Sequence, residues 1–310
     1  MQDQEESRNV EDMRGSSGGG GGFQFRPVHG IGLGTVAVAL IGGWILGINP
    51  LQILGLLGGG VSSDQGTPMQ QTAPATTDDA APPAPGSGAE DSQRRFVGQV
   101  LRSTEVVWTD YFQQLGRTYE APKLLLFRDS YPTACGQGQA AAGPFYCPND
   151  RIVYLDMSFF DLMTQQLNAP GQFAHAYVVG HEVGHHVQNL LGILGKVDAQ
   201  REHSSEAESN ALSVKIELQA DCFAGVWARR AQQEQHSWRL EQGDIETALN
   251  AASQIGDDTL QKKARGTVVP ESFTHGTSAQ RVSWFKRGID SGDINQCDTF
   301  GTGNVAGTTP

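Results

Sequence analysis

Apolar residues at Phe96, Val97, Val100, Leu101, Val107, Phe112 and Leu115 recur with a helical period, which predicts a helix from Phe96 to Tyr119, ahead of Pro122. Lys123 to Phe127 reads KLLLF, a short unbroken apolar run of the kind a buried strand carries. Gly143 to Tyr146 and Arg151 to Leu155 flank Pro148-Asn149-Asp150, a turn signature that predicts a hairpin. Helical periods follow over Asp156 to Gln166 and Phe173 to Leu191, the second stopping before Gly192 and Gly195. Ser204 to Gln235 has no Pro, contains a single Gly at Gly225, and is rich in Ala, Glu, Gln and Leu, which predicts one long helix. Glu241 to Ile255 and Ser278 to Gly288 predict two more. The pattern gives an α+β fold, mostly helical, with a small sheet placed before the helix at 173–191.

The front of the chain follows other rules. Residues 1–29 are polar, carry the glycine run Gly18 to Gly22 and predict a disordered tail. Within residues 30–57, the stretch 31–48 holds no charge and apolar character resumes at Leu51 after Asn49-Pro50, so this segment predicts a single transmembrane helix. A cleaved signal peptide is the competing reading, but its apolar core is usually shorter and its leading region short and basic. Arg8, Arg14 and Arg26 precede the segment and the next basic residue is Arg94, which predicts a cytoplasmic amino terminus with the remainder periplasmic or extracellular. Residues 58–93 are rich in Pro, Ala, Ser and Thr and read as a linker, leaving 94–310 as one folded domain.

A formal net charge of −12, with no basic run, excludes a nucleic-acid footprint. Cys135, Cys147, Cys222 and Cys297 all follow the apolar segment, as an oxidising compartment would have it, and none shows Cys-x-x-Cys spacing. Three pairings are possible, besides free thiols. The expected one is Cys135 with Cys147, closing a short Gly- and Ala-rich loop, and Cys222 with Cys297, tying the long helix to the carboxyl-terminal segment.

The helix at 173–191 carries HEVGH. His181 and His185 lie four residues apart on one helical face, with Glu182 about 100° round from the first. Two imidazoles so placed can hold Zn²⁺, and the carboxylate beside them can act as general base toward water. The long helix adds IELQAD, with Glu217 and Asp221 also four apart. Glu217 suits a third ligand, and Asp221 suits the carboxylate that accepts the distal N–H of a ligating His.

HEVGH followed by ELQAD resembles the gluzincin metallopeptidases, in which two His and a Glu bind zinc. The wider text GPFYCPNDRIVYLD, AYVVGHEVGHHVQ, ELQADCFAGVW and FTHGTSAQRVSWF resembles the neutral zinc metallopeptidase family of bacterial membrane-anchored proteins, over about residues 94–300. The resemblance implies a zincin-like domain acting on a peptide or protein substrate, with a zinc cofactor. THGTSAQR further resembles a Thr-His-Pro and Arg element of membrane-linked peptidases, with Gly276 in place of the Pro, and so implies that His275 and Arg281 polarise the scissile carbonyl. The same residues also read as a helix cap at Thr277 or Ser278 with Arg281 ion-paired on the first turns. The strand at Arg151 to Leu155 is the expected edge for an added peptide strand. A rival reading is an envelope scaffold with structural zinc, but such a site is normally closed by a fourth protein ligand, and none stands at a convincing spacing.

Overall fold

A computed structural model describes residues 5–15, 88–139, 143–233, 243–301, 303 and 305. The order is β1 (Val10–Asp12), α1 (Gly88–Gln114), β2 (Lys123–Phe127), β3 (Ser130–Thr133), β4 (Gly136–Gln139), β5 (Phe145–Cys147) and β6 (Ile152–Asp156). Helices α2 (Ser158–Gln165), α3 (Gln172–Leu190), α4 (Ile193–Arg201), α5 (Glu206–Ala231), α6 (Asp244–Gln254), α7 (Asp257–Arg265) and α8 (Ser278–Ser291) follow, with short 3₁₀ turns at Pro270–Ser272 and Ile294–Cys297. The fold is α+β and mostly helical, as the periodicity predicts.

Strands lie in the order β1-β2-β6-β5, with β1–β2 and β2–β6 parallel and β6–β5 antiparallel. The KLLLF run is buried because both faces of β2 are covered. Leu124 and Leu126 join the main core, while Leu125 and Phe127 pack with Phe145, Cys147 and Tyr154 on the other face. The predicted hairpin across 148–150 is present, Phe145 facing Tyr154 and Cys147 facing Ile152. Its second strand is not an edge, however. β6 is paired on both sides, by β2 and by β5, so the expectation of peptide addition at 151–155 fails for want of free backbone groups, and the outer strands are β1 and β5.

The amino-terminal tail also departs from expectation. Residues 5–15 are ordered, and β1 pairs in register with β2 from Val10↔Leu124 to Asp12↔Leu126. Helix α1 begins at Gly88, inside the stretch read as linker. The expected membrane segment at 30–57 lies outside the described residues, among which no helix is long and apolar enough to cross a membrane.

Helix α5 starts in a capping box, Ser205 accepting from the Glu208 N–H and Glu208 from the Ser205 N–H. It then packs between α3 and α8, and both contacts depend on glycine. A Cβ on Gly184 of α3 would lie 2.9 Å from the Ala220 carbonyl oxygen, and one on Gly180 would lie 2.7 Å from the Trp227 ring. On the opposite side, a Cβ on Gly288 of α8 would lie 2.0 Å from the Cys222 oxygen and one on Gly225 would lie 2.2 Å from the Phe285 oxygen. The backbones therefore touch without intervening side chains. Both expected disulfides are formed, Cys135–Cys147 and Cys222–Cys297, the second fastening α5 to the last 3₁₀ turn. Because backbone cannot swing aside as a side chain can, Gly288→Ala should cost about 1–3 kcal/mol or more. Thermal unfolding should show a clear drop in Tm, and an unchanged Tm would mean that α5 and α8 are not in backbone contact.

Candidate metal centre

Helix α3 is nearly all buried, through Phe173, Tyr177, Val178, Val179, Val183 and Val187 among others, which anchors the motif between α5 and the rest of the core. The approach at Gly184 brings the α5 carboxylates onto the α3 imidazoles. His181 Nε2 lies 3.1 Å from Glu217 Oε2, and His185 Nε2 lies 3.4 Å from Glu217 Oε1. Ligand atoms of His181, His185 and Glu217 all fall within 4.8 Å of one another, the sole such group among the described residues.

Both imidazoles are held from behind. Nδ1 of His181 is 2.8 Å from Asp221 Oδ1, as the Glu-x-x-x-Asp spacing predicts. Nδ1 of His185 is 2.9 Å from Gln188 Oε1. With the Nδ1 protons donated outward, both Nε2 atoms face the Glu217 carboxylate. Two imidazole nitrogens and one carboxylate oxygen fit zinc, and they leave a tetrahedral site one protein ligand short.

Three residues of this arrangement were not singled out by sequence. Gln188 passes the orientation on, its amide donating to the Ile216 carbonyl (2.8 Å) and to Gln219 Oε1 (3.1 Å). Tyr177 Oη donates to Asp221 Oδ1 (2.5 Å), one helical turn before His181. Asp257 accepts the backbone N–H groups of Thr274 (2.8 Å), His275 (2.6 Å) and Gly276 (3.0 Å), and its other oxygen lies 3.2 Å from His275 Nδ1. The apolar-flanked Gln188 on the motif helix was the one available signal.

Arg281 is 3% exposed and forks onto Asp221, Nε to Oδ2 and Nη2 to Oδ1, both at 2.8 Å. A capping box at Thr277 and Gln280 starts α8, and Arg281 early in that helix is ion-paired with Asp221, as the cap reading expects. His275 is buried beside the cluster, held by Asp257. His186, one residue past the motif, is fully buried and structural: its Nδ1 accepts from Tyr146 Oη (2.9 Å) and its Nε2 donates to the Glu120 carbonyl (2.6 Å). Burial lowers its pKa to about 4, so it stays neutral.

The electrostatics follow from burial against charge. Burial opposes the cationic form of His181, but the Asp221 and Glu217 carboxylates outweigh it and lift its pKa to about 10. Loading a cation therefore displaces a proton. Burial likewise opposes ionisation of Asp221, yet Arg281 and His181 pull its pKa to about 2. Glu217 is held well below the usual carboxylate range, His185 and His275 overcoming its burial. Glu182 goes the other way: burial raises it, against the partial opposition of His181 and His185. Glu182 is 8% exposed and, among the described residues, its carboxylate accepts no hydrogen bond.

Gln188 is outside the ligand set, so its replacement separates orientation from ligation. Gln188→Ala should weaken zinc binding by roughly ten- to a hundredfold, read by competition with a chromophoric chelator. Unchanged affinity would show that the Gln188 contact does not orient His185.

Of the comparisons with known proteins, the family description names zinc, which this donor set could hold. "Uncharacterized protein YpfJ" of Escherichia coli K12 is 48% identical over 304 residues, covering 97% of this chain and 98% of the relative. "Uncharacterized protein Rv2575" of Mycobacterium tuberculosis H37Rv is 44% identical over 211 residues, covering 66% of this chain and 69% of the relative. No solved structure matches the chain. The family model described as "Putative neutral zinc metallopeptidase" matches residues 1–300, and the chain belongs to that family.

Proposed function

We propose that the chain is a zinc endopeptidase in which His181, His185 and Glu217 hold the metal and Glu182 is the general base. Zinc in that cage supplies Lewis-acid polarisation of a carbonyl and a water acidified toward neutrality. The observation that carries the reading is the Glu182 carboxylate, nearly buried, free of hydrogen bonds among the described residues, and raised in pKa beside the ligands. A base needs unoccupied oxygens and a pKa moved toward the working pH. Glu182 then takes the water proton and delivers it to the departing amine.

His275 donates to the carbonyl oxygen as negative charge develops there, a role supported by the hold of Asp257 on its ring and by its cationic form, which Glu217 and Asp257 favour against burial. Arg281 acts at one remove, holding Asp221 and through it His181. The outer strand β5 is the site for an extended peptide, because Tyr146 within it is tied directly to His186 and Asn189 around the motif helix. Attachment to a membrane through residues 30–57, and exposure of the domain to an oxidising compartment, which the two disulfides suit, complete this reading.

Glu182→Gln preserves shape and removes the base. Cleavage of a mixture of unstructured peptides, followed by mass spectrometry, should fall by about a hundredfold or more with zinc near one per chain. Undiminished cleavage would refute the mechanism. His275→Ala should lower turnover on the order of a hundredfold with zinc retained. Equal turnover with a lowered Tm would reduce His275 to a support of its turn.

A further inference from the structure

Strand β5 has one strand partner, β6, with Phe145 facing Tyr154, Tyr146 facing Val153 and Cys147 facing Ile152. The Cys147 carbonyl turns into the hairpin, where it accepts from the Arg151 N–H (2.9 Å). In an antiparallel pair, successive residues aim their N–H and C=O groups alternately toward the partner and away from it. Tyr146 therefore turns both groups to the open edge, and among the described residues neither finds another partner there. It is the middle residue of Phe145–Cys147, and its two neighbours face β6.

The side chain of the same residue runs inward. Its ring meets His186 edge-on, centroids 5.4 Å apart, and its hydroxyl donates to His186 Nδ1 and accepts from Asn189 Nδ2, both at 2.9 Å. His186 Nε2 already donates to the Glu120 carbonyl, which leaves Nδ1 as the acceptor. Asn189 also donates to the Pro148 carbonyl (3.3 Å), at the start of the hairpin turn. His186 and Asn189 belong to α3, the first adjacent to His185 and the second one turn beyond it. One side chain thus joins the open edge to the helix that carries both imidazole ligands.

We propose that Tyr146 sets the register of the substrate: its backbone N–H and carbonyl pair with the backbone of an extended peptide, and its hydroxyl, through His186 and Asn189, fixes that pairing relative to His181 and His185. The role presupposes the peptidase reading and makes Tyr146 a positioning residue. Backbone pairing is indifferent to the side chain opposite, so at this position the substrate is selected for being unfolded and extended, not for its sequence. Without the hydroxyl the edge can still pair but is free to shift against α3, and a misplacement of about 1 Å can cost roughly a hundredfold in rate.

The probe is the peptide best retained from a mixture of unstructured peptides by the immobilised, zinc-loaded Glu182→Gln chain, so that binding is read without cleavage. Hydrogen exchange followed residue by residue in the full chain should find the Tyr146 amide quick to exchange in the free protein, between slow Phe145 and Cys147 amides. Binding of the probe should abolish that rapid exchange. In parallel, Tyr146→Phe and Asn189→Ala, which cut the same tie from its two ends, should each lower kcat on the probe roughly ten- to a hundredfold with KM and zinc affinity little changed. Four results would each overturn the proposal: a Tyr146 amide already slow in the free chain, one left unprotected by the bound probe, no peptide retained at all, or native kcat in Tyr146→Phe with only a lowered Tm. Cleavage that Glu182→Gln does not diminish would refute the reading of the metal site instead, and is told apart because exchange at Tyr146 does not depend on turnover.

Discussion

The structure around the metal centre depends on a single buried carboxylate. Asp221 has no solvent exposure, and removing its charge from water costs several kcal/mol that only close, well-aligned partners can offset. It has three: the Arg281 fork from α8, the His181 imidazole and the Tyr177 hydroxyl from α3. Three helices are joined at one side chain, and the pairing fixes which nitrogen of His181 is left for the metal. Taking away Arg281 alone would leave a buried anion short of its main counter-charge, so the stability of the site and its chemistry are not separable there.

The second imidazole is governed by a neutral chain. His185 rests on Gln188, Gln188 on the Ile216 carbonyl and Gln219, and Gln219 on the Cys297 carbonyl (3.0 Å), next to the disulfide that binds this turn to α5. One ligand is thus oriented by paired charges and the other by oriented amides. Both routes require the α3–α5 approach that Gly184 permits at Ala220. The small residue inside HEVGH is there for packing, beside residues present for chemistry.

Much of this was legible because it is local. Four-residue spacing on a helix fixes a shared face whatever the rest of the chain does, so His181 with His185 and Glu217 with Asp221 could be read directly, and Asp221 was found holding His181 as its spacing predicts. The bounds of β2 and the hairpin of β5 and β6 were likewise carried by apolar runs and a turn signature. What failed was non-local. Strand order decided that β6 is internal, a matter settled by its parallel pairing with β2 from upstream, on the side away from the β5 hairpin. Segment 5–15 is largely polar and aperiodic, and beyond the packing of Val10 and Met13 it is held by particular bonds to Glu105, Gly98 and Lys123. Asp257 is invisible for the same reason: its importance lies in three backbone N–H groups of a distant turn.

The central claim is a catalytic zinc cage made of His181, His185 and Glu217 and open at one position. X-ray absorption at the zinc edge of the purified, metal-loaded chain reads that claim directly. The account predicts two imidazole nitrogens near 2.0–2.1 Å, oxygen from a carboxylate and from solvent, and no sulfur. A shell closed by four protein ligands, or one containing sulfur, would contradict it.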